Sequence, residues 1–175
     1  GGTNNDAFTF NAGGSLTGLI NGGTQDVADT MDYSALGAMT VTLGTSIVNI
    51  ETATGAAVQT LAGANIVNAW SITGANIGTV TDGDGFGTVA FSGFNNLTGG
   101  TDTDNFTLSG GTLSGAIAGG AGVNSLTGGD VANIWTITGA DAGTVTGVTG
   151  GFSQIANLTG GTDNDVFAFN AGGSL

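Results

Sequence analysis

Repetition inside the chain is the feature that most constrains its fold. Residues 1–16 read GGTNNDAFTFNAGGSL and return at 160–175 as GGTDNDVFAFNAGGSL, a displacement of 159 residues. A second pair of copies lies at 68–107 and 133–168, and the later of these overlaps the start of 160–175. Such repeats are typical of proteins whose neighbouring units stack on one another. The sequence predicts one continuous segment over 1–175 of a longer array, with a 159-residue period.

Short alternating runs lie between the recurring Gly-Gly pairs. Trp70-Ser-Ile72, Trp135-Thr-Ile137 and Phe167-Ala-Phe169 are examples, and no stretch shows a sustained helical period. Aromatic and β-branched residues at period two indicate strands, and glycine supplies tight turns with positive φ. We therefore predict an all-β fold, specifically a parallel β-solenoid of the β-roll or β-helix type with Gly-rich turns and almost no helix.

The composition excludes most enzymatic chemistry. The chain has no Lys, Arg, His or Cys, and its formal net charge is -13. It therefore lacks an imidazole, a thiolate, an amine nucleophile and a guanidinium group. Paired Asp residues invite comparison with glycoside hydrolases, but these pairs lie on repeated turns. We expect no enzymatic activity, and no nucleic-acid partner, because no cation is present to neutralise phosphates.

The same composition bears on location. No run of about 18 apolar residues is available to span a bilayer. No basic segment followed by an apolar one marks a signal peptide, and the chain starts with Gly-Gly and not Met, so we expect any targeting signal to lie outside the sequence shown. The chain also has no Cys. Absence of disulfides fits an extracellular protein that is stabilised by repetition or by metal. We predict a secreted protein at the cell surface or outside the cell.

The sharpest local pattern is the nonapeptide G-G-x-G-x-D-x-U-x, in which U is apolar. Its glycines allow a tight turn, its Asp offers oxygen to calcium and its U residue fills the core. Frames at 1–9, 99–107 and 160–168 keep both leading glycines but not the fourth-position Gly; their Asp and U residues are Asp6 with Phe8, Asp104 with Phe106 and Asp165 with Phe167. Frames at 119–127 and 128–136 have Asn124 and Asn133 in place of the Asp.

These frames resemble the haemolysin-type, RTX-like calcium-binding repeats of giant bacterial adhesins and surface proteins. The segment from Gly22 to Leu43 is similar to the degenerate coils that interrupt such arrays. The resemblance implies a parallel β-roll with calcium between stacked turns. This sequence departs from the family because strict tandem nonapeptides are rare in it.

Calcium takes six to eight oxygen ligands, of which several are normally carboxylates. The candidate ligands are Asp6, Asp102, Asp104, Asp163, Asp165, Asp82 and Asp84, and the pair Asp26/Asp29 is a weaker candidate. Alternate residues on an extended turn point the same way, so an i, i+2 pair can face one ion. The alternative is that these Asp residues cap turns by accepting hydrogen bonds from nearby backbone amides.

The sequence predicts a mechanical role, as a stalk, spacer or fibre body in an adhesin, surface layer or matrix. Calcium would order this body if the candidate Asp ligands come together. The alternative is a binding solenoid with a Thr-rich face for ice, glycan or self-association. Thr-x-Thr triplets at 40–42, 79–81, 136–138 and 144–146 motivate it. Trp70 and Trp135 are either sugar-stacking platforms or core residues, and the U position of Trp135 favours the core.

Overall fold

The described part of the chain consists of short β-strands and turns and contains no helix. The computed structural model describes residues 1–23, 28–44, 47–82 and 87–175. The strands are β1 (Ala7–Thr9), β2 (Ile20–Asn21), β3 (Thr30–Asp32), β4 (Thr40–Thr42), β5 (Ile47–Val48), β6 (Thr52–Thr54), β7 (Thr60–Ala62), β8 (Asn68–Gly74), β9 (Ile77–Asp82), β10 (Thr88–Ser92), β11 (Asn96–Thr98), β12 (Asp104–Leu108), β13 (Ile117–Ala118), β14 (Ser125–Thr127), β15 (Ile134–Gly139), β16 (Ala142–Val145), β17 (Val148–Ser153), β18 (Asn157–Thr159) and β19 (Val166–Phe169). The predicted all-β class with almost no helix is confirmed for these residues.

The strands form two large sheets and one small one. The nine-stranded sheet has the order β1-β3-β6-β10-β9-β8-β12-β14-β18. The eight-stranded sheet has the order β19-β15-β16-β17-β13-β11-β7-β4, and β2 pairs with β5 alone. Successive strands of the chain thus tend to alternate between sheets, and each sheet collects strands from along the whole sequence.

Parallel pairs join strands that are distant in the sequence. Thr40 lies opposite Thr60, and Leu97 lies opposite Ile117; each partner is 20 residues further along the chain (60 − 40 and 117 − 97). Trp70 lies opposite Phe106 in β12. Because side chains alternate across a strand, this register places apolar residues above apolar residues on the same face.

Both large sheets also contain antiparallel strands, so the purely parallel arrangement that we predicted is not confirmed. In the nine-stranded sheet β8, β9 and β10 form an antiparallel meander, and β15, β16 and β17 do so in the eight-stranded sheet. The first hairpin of each meander turns at a residue with positive φ, Asn76 (φ 56°) in one and Asp141 (φ 51°) in the other. Asn and Asp tolerate this left-handed conformation better than other non-glycine residues. The repeated segments TGANIGT and TGADAGT therefore reverse the chain instead of extending it.

A single hydrophobic cluster includes residues from both large sheets. Strand β8 shows the pattern, since Trp70 and Ile72 are buried and the intervening Ser71 is partly exposed. Trp70 stacks on Phe106 with ring centroids 5.5 Å apart, and Trp135 stacks on Phe167 at 5.3 Å. Both indoles are buried, which confirms their assignment to the core and rules out exposed sugar platforms at these positions.

Candidate functional site: the carboxylate turns

The three nonapeptide turns that contain Asp fold back so that the Asp side chain contacts a leading glycine. Gly2 N–H donates to Asp6 Oδ2 at 2.7 Å, and Gly100 N–H donates to Asp104 Oδ2 at 2.7 Å. A β-carbon built on Gly99 would lie 2.2 Å from Asp104 Oδ2, which is far inside contact distance. The first glycine of the motif is therefore required because the carboxylate packs against its α-carbon.

The Asp side chains also connect one turn to the next. Asn68 N–H donates to Asp104 Oδ1 at 3.1 Å, and the Asn68 side-chain amide donates to the same oxygen at 2.6 Å. Asp104 N–H in turn donates to Asn124 Oδ1 at 2.9 Å. Asp104 is thus held from two sides in the stack, with two backbone amides directed at its carboxylate.

The same linkage recurs elsewhere in the chain. We call the residues that make it the rung residues: Asp6, Asp29, Glu51, Asn68, Asp104, Asn124, Asn133 and Asp165. Asp6 N–H donates to Asp29 Oδ1 and Asp29 N–H to Glu51 Oε2, both at 2.6 Å. Asn133 N–H donates to Asp165 Oδ1 at 3.0 Å. Each rung residue contributes a side-chain oxygen as acceptor, its own backbone N–H as donor, or both, to a hydrogen bond with the neighbouring rung residue. This bond takes the place of a backbone hydrogen bond between strands at a turn.

Asp and Asn rung residues form different hydrogen bonds with the backbone of their own turn. The carboxylates of Asp6 and Asp104 accept from the N–H four residues earlier. The amides of Asn68 and Asn133 instead donate to carbonyl oxygens four and two residues earlier. The backbone of the turn therefore presents an N–H to Asp and carbonyls to Asn, which makes the two residue types chemically distinct here.

Burial shapes the electrostatics of Asp104, whose side chain is fully buried. Loss of hydration on burial raises the pKa of its carboxyl above the usual 3.8, and the negative charge of Asp102 adds to this rise. Hydrogen bonds from Asn68 and Gly100 act in the opposite direction. The net effect is a raised pKa, because desolvation disfavours the charged form more than these donors stabilise it.

Of the remaining predicted ligands, Asp102, Asp163 and Asp82 lie in the described part of the chain. Asp102 and Asp163 are exposed and accept bonds from the following N–H groups at 2.8 and 2.9 Å. Asp82 Oδ1 accepts from Gly87 N–H at 3.0 Å. Asp84 and Asp26 lie outside the described residues. Within the described ranges, no three carboxylates converge into a group suited to a metal ion.

Four rung residues were not among the ligand or capping candidates of the sequence analysis: Glu51, Asn68, Asn124 and Asn133. Of these, Asn68 and Asn133 occupy equivalent places in the copies NAWSITG and NIWTITG, two residues before each Trp. That repeated Asn was the available signal. Gln59 was also missed; it is buried and its side-chain amide donates to Tyr33 O and Leu36 O, both at 2.9 Å.

The Thr-x-Thr triplets do not form one array. The triplet at 79–81 lies in β9 of the nine-stranded sheet, whereas 40–42 lies in β4 at one edge of the eight-stranded sheet. The triplets at 136–138 and 144–146 lie toward the other edge of that sheet. A flat ligand such as ice needs a regular exposed surface, and this distribution does not provide one from these triplets.

Comparison with protein-family models, with curated proteins and with solved structures found no match to this chain. Nor do the described ranges include a helix of the length and hydropathy needed to cross a membrane.

Proposed function

We propose that this chain is a structural segment of an extracellular repetitive protein, in which it serves as a stiff spacer or fibre body. The proposed arrangement is a stack of parallel coils in the manner of a β-solenoid, interrupted by the two hairpin meanders. The observation that supports it best is the set of rung bonds. They use the interior polar side chains to join turns, so the chemistry of these residues serves cohesion along the stack.

The core supports the same role. Apolar residues from both large sheets form one continuous cluster instead of separate centres. In stacked-repeat proteins each unit contacts only its neighbours, so length is added without a change in cross-section. A body of this kind resists bending because each added turn is fixed by backbone bonds, by rung bonds and by stacked apolar side chains.

We also propose that calcium binds at the surface of this segment. The exposed carboxylates of Asp102 and Asp163 are the candidate ligands that face solvent. The buried Asp104 already accepts three hydrogen bonds from the chain, so its carboxylate is satisfied without an ion. Calcium would therefore add to a fold that the rung residues already hold together.

Electron microscopy of proteins with one, two and three 159-residue periods tests the spacer role. We expect straight rods whose length increases by a constant amount with each period. Compact particles, or flexible beads with variable angles between them, would refute it. Thermal melting followed by circular dichroism, first with calcium and then with excess chelator, tests the ion separately: a β-rich spectrum that collapses in chelator would make calcium essential to the fold.

A further inference from the structure

The chain contains a short motif that marks asparagine for the attachment of a sugar. The motif is Asn-x-Ser or Asn-x-Thr, with x other than Pro, and it identifies the acceptor of N-glycosylation. It occurs as Asn96-Leu-Thr98, Asn105-Phe-Thr107 and Asn157-Leu-Thr159. So short a motif arises easily in a chain rich in Asn and Thr. The surroundings of each asparagine in the fold therefore decide which of them an enzyme can reach.

Asn105 presents its side chain on the outer face of the nine-stranded sheet. It lies in β12 between the buried residues Asp104 and Phe106, and it is itself exposed. Residues two apart in a strand point to the same face, so Thr107 lies on the outer face too, where it is partly exposed. The two α-carbons are about 6.7 Å apart in an extended strand. The acceptor amide and the hydroxyl of the motif are therefore displayed together.

The strands on either side leave space above Asn105. Its partners in the sheet register are Ala69 in β8 and Ser125 in β14, and both have small, uncharged side chains. Strand β12 is an interior strand of the sheet, with a hydrogen-bonded neighbour on each side. The exposure of Asn105 is therefore a property of a completed sheet and does not depend on an open strand edge.

The hydrogen bonds of the Asn105 side chain leave its nitrogen available. Ser125 Oγ donates to Asn105 Oδ1 at 2.7 Å, which fixes the end of the amide that faces the serine. Asn105 Nδ2 makes no hydrogen bond to the described residues. A sugar on Nδ2 replaces one of its two hydrogens and leaves Oδ1 as an acceptor. The modification is therefore compatible with the bond from Ser125.

Asn96 has the same motif, but its side chain is held by the fold. Ala116 N–H donates to Asn96 Oδ1 at 3.0 Å, and a β-carbon built on Gly115 would lie 2.4 Å from that oxygen. The Asn96 amide is thus packed against the backbone of the adjoining turn, and the residue is only partly exposed. Asn157 is exposed, but it lies in the terminal strand β18, so its surroundings depend on the strand that pairs there in a longer array.

We propose that Asn105 is an N-glycosylation site at which the folded chain accepts a neutral hexose. Asn105 Nδ2 attacks the anomeric carbon of a sugar that is activated as a nucleoside diphosphate ester. The new C–N bond forms, the nucleoside diphosphate leaves with the electron pair of the broken C–O bond, and the proton of Nδ2 passes to a base of the transferase. This inference rests on the proposed extracellular role. The bulky, solubilising sugar would keep this uncharged face from packing against another fibre.

Enzymatic transfer to the purified chain tests the site. A soluble N-glucosyltransferase that recognises Asn-x-Ser/Thr, supplied with UDP-glucose, should add a hexose to the folded protein at Asn105. A protease that cleaves before Asp separates the motifs, because the product 84–101 contains Asn96 and the product 104–129 contains Asn105. Mass spectrometry should find the hexose on 104–129 and none on 84–101. Synthetic peptides of both ranges should be modified, because neither is folded.

Two variants of Thr107 serve as matched controls. Thr107→Ser keeps the hydroxyl and should still be modified, whereas Thr107→Val keeps the shape without the hydroxyl and should not be; circular dichroism should show both to be folded. Transfer to Thr107→Val at the wild-type rate, equal transfer to Asn96 and Asn105 in the folded chain, or no transfer at Asn105 would each overturn the proposal. The rods expected from tandem periods require no sugar, so their absence would refute the spacer role and leave the result at Asn105 unchanged.

Discussion

Replacement of Asp104 by Ala should destabilise the fold strongly, because it leaves two backbone N–H groups without their acceptor. Asn68 N–H and Gly100 N–H lose their acceptor, while the Asn68 side chain keeps its bonds to Ala64 O and Ile66 O. A buried donor left without a partner costs about 1–3 kcal/mol, so two of them cost roughly 2–6 kcal/mol. Relief of the buried charge offsets part of this loss. Before this offset, such a loss corresponds to a fall in the melting temperature of roughly 4–24 °C, at about 2–4 °C per kcal/mol for a domain of this size.

Two matched variants set the scale for this prediction. Asp165→Ala leaves one backbone donor, Asn133 N–H, without its acceptor at a partly exposed position, and should cost about 1–2 kcal/mol. Asp102→Ala, at an exposed position, should change stability by no more than about 0.5 kcal/mol. Urea unfolding followed by tryptophan fluorescence, first in chelator and then with calcium, measures all three. The capping role would be refuted if Asp102→Ala and Asp104→Ala lowered the free energy of unfolding equally, and did so only with calcium present. That result would favour an ion bound by the pair.

The pH dependence of Asp104 gives an independent measurement. Its pKa is raised in the folded state, so the folded chain binds this proton more tightly than the unfolded chain does. The corresponding stability is fully present below pH 3.8 and is lost as the pH rises through the folded-state pKa. Asp104→Asn removes this component, so its cost relative to wild type should be largest at acid pH and should decrease as the pH rises. A cost that grows with pH would contradict the raised pKa.

Four further measurements follow from the core and the turns. Gly99→Ala should cost several kcal/mol because its β-carbon would lie 2.2 Å from a buried carboxylate oxygen, whereas Gly37→Ala, with open space around it, should be neutral or slightly stabilising; equal melting temperatures would refute the steric argument. Phe106→Ala should cost about 3–5 kcal/mol. Trp70→Phe should cost less than about 2 kcal/mol in urea unfolding, since it also removes a buried indole N–H that has no hydrogen-bond partner among the described residues, and a larger loss would contradict this reasoning. Burial raises the pKa of Tyr33, so its ultraviolet titration should lie above 10 in the folded chain, and stability should fall as the pH rises past 10; titration at 10 would contradict its burial.

Several structural features could be predicted directly from the amino-acid sequence. Alternation of Trp70 with Ile72 and of Trp135 with Ile137 predicts strands with one buried face, and the structure buries all four side chains. The leading glycines predict tight turns. These features are local, because a strand's periodicity and a turn's steric demand depend on only a few neighbouring residues.

Other features required the tertiary structure. The copies at 68–81 and 133–146 form antiparallel hairpins, and the sequence did not reveal this, because one residue with positive φ at each turn decides between reversal and extension. The role of Asp104 also depended on distant residues, since its donors Asn68 and Gly100 are brought together only when strands pair 36 residues apart (104 − 68). Repetition in the sequence determined which residues are equivalent. Only the tertiary structure decided which strands the equivalent residues pair with, because strand pairing is a long-range property of the chain.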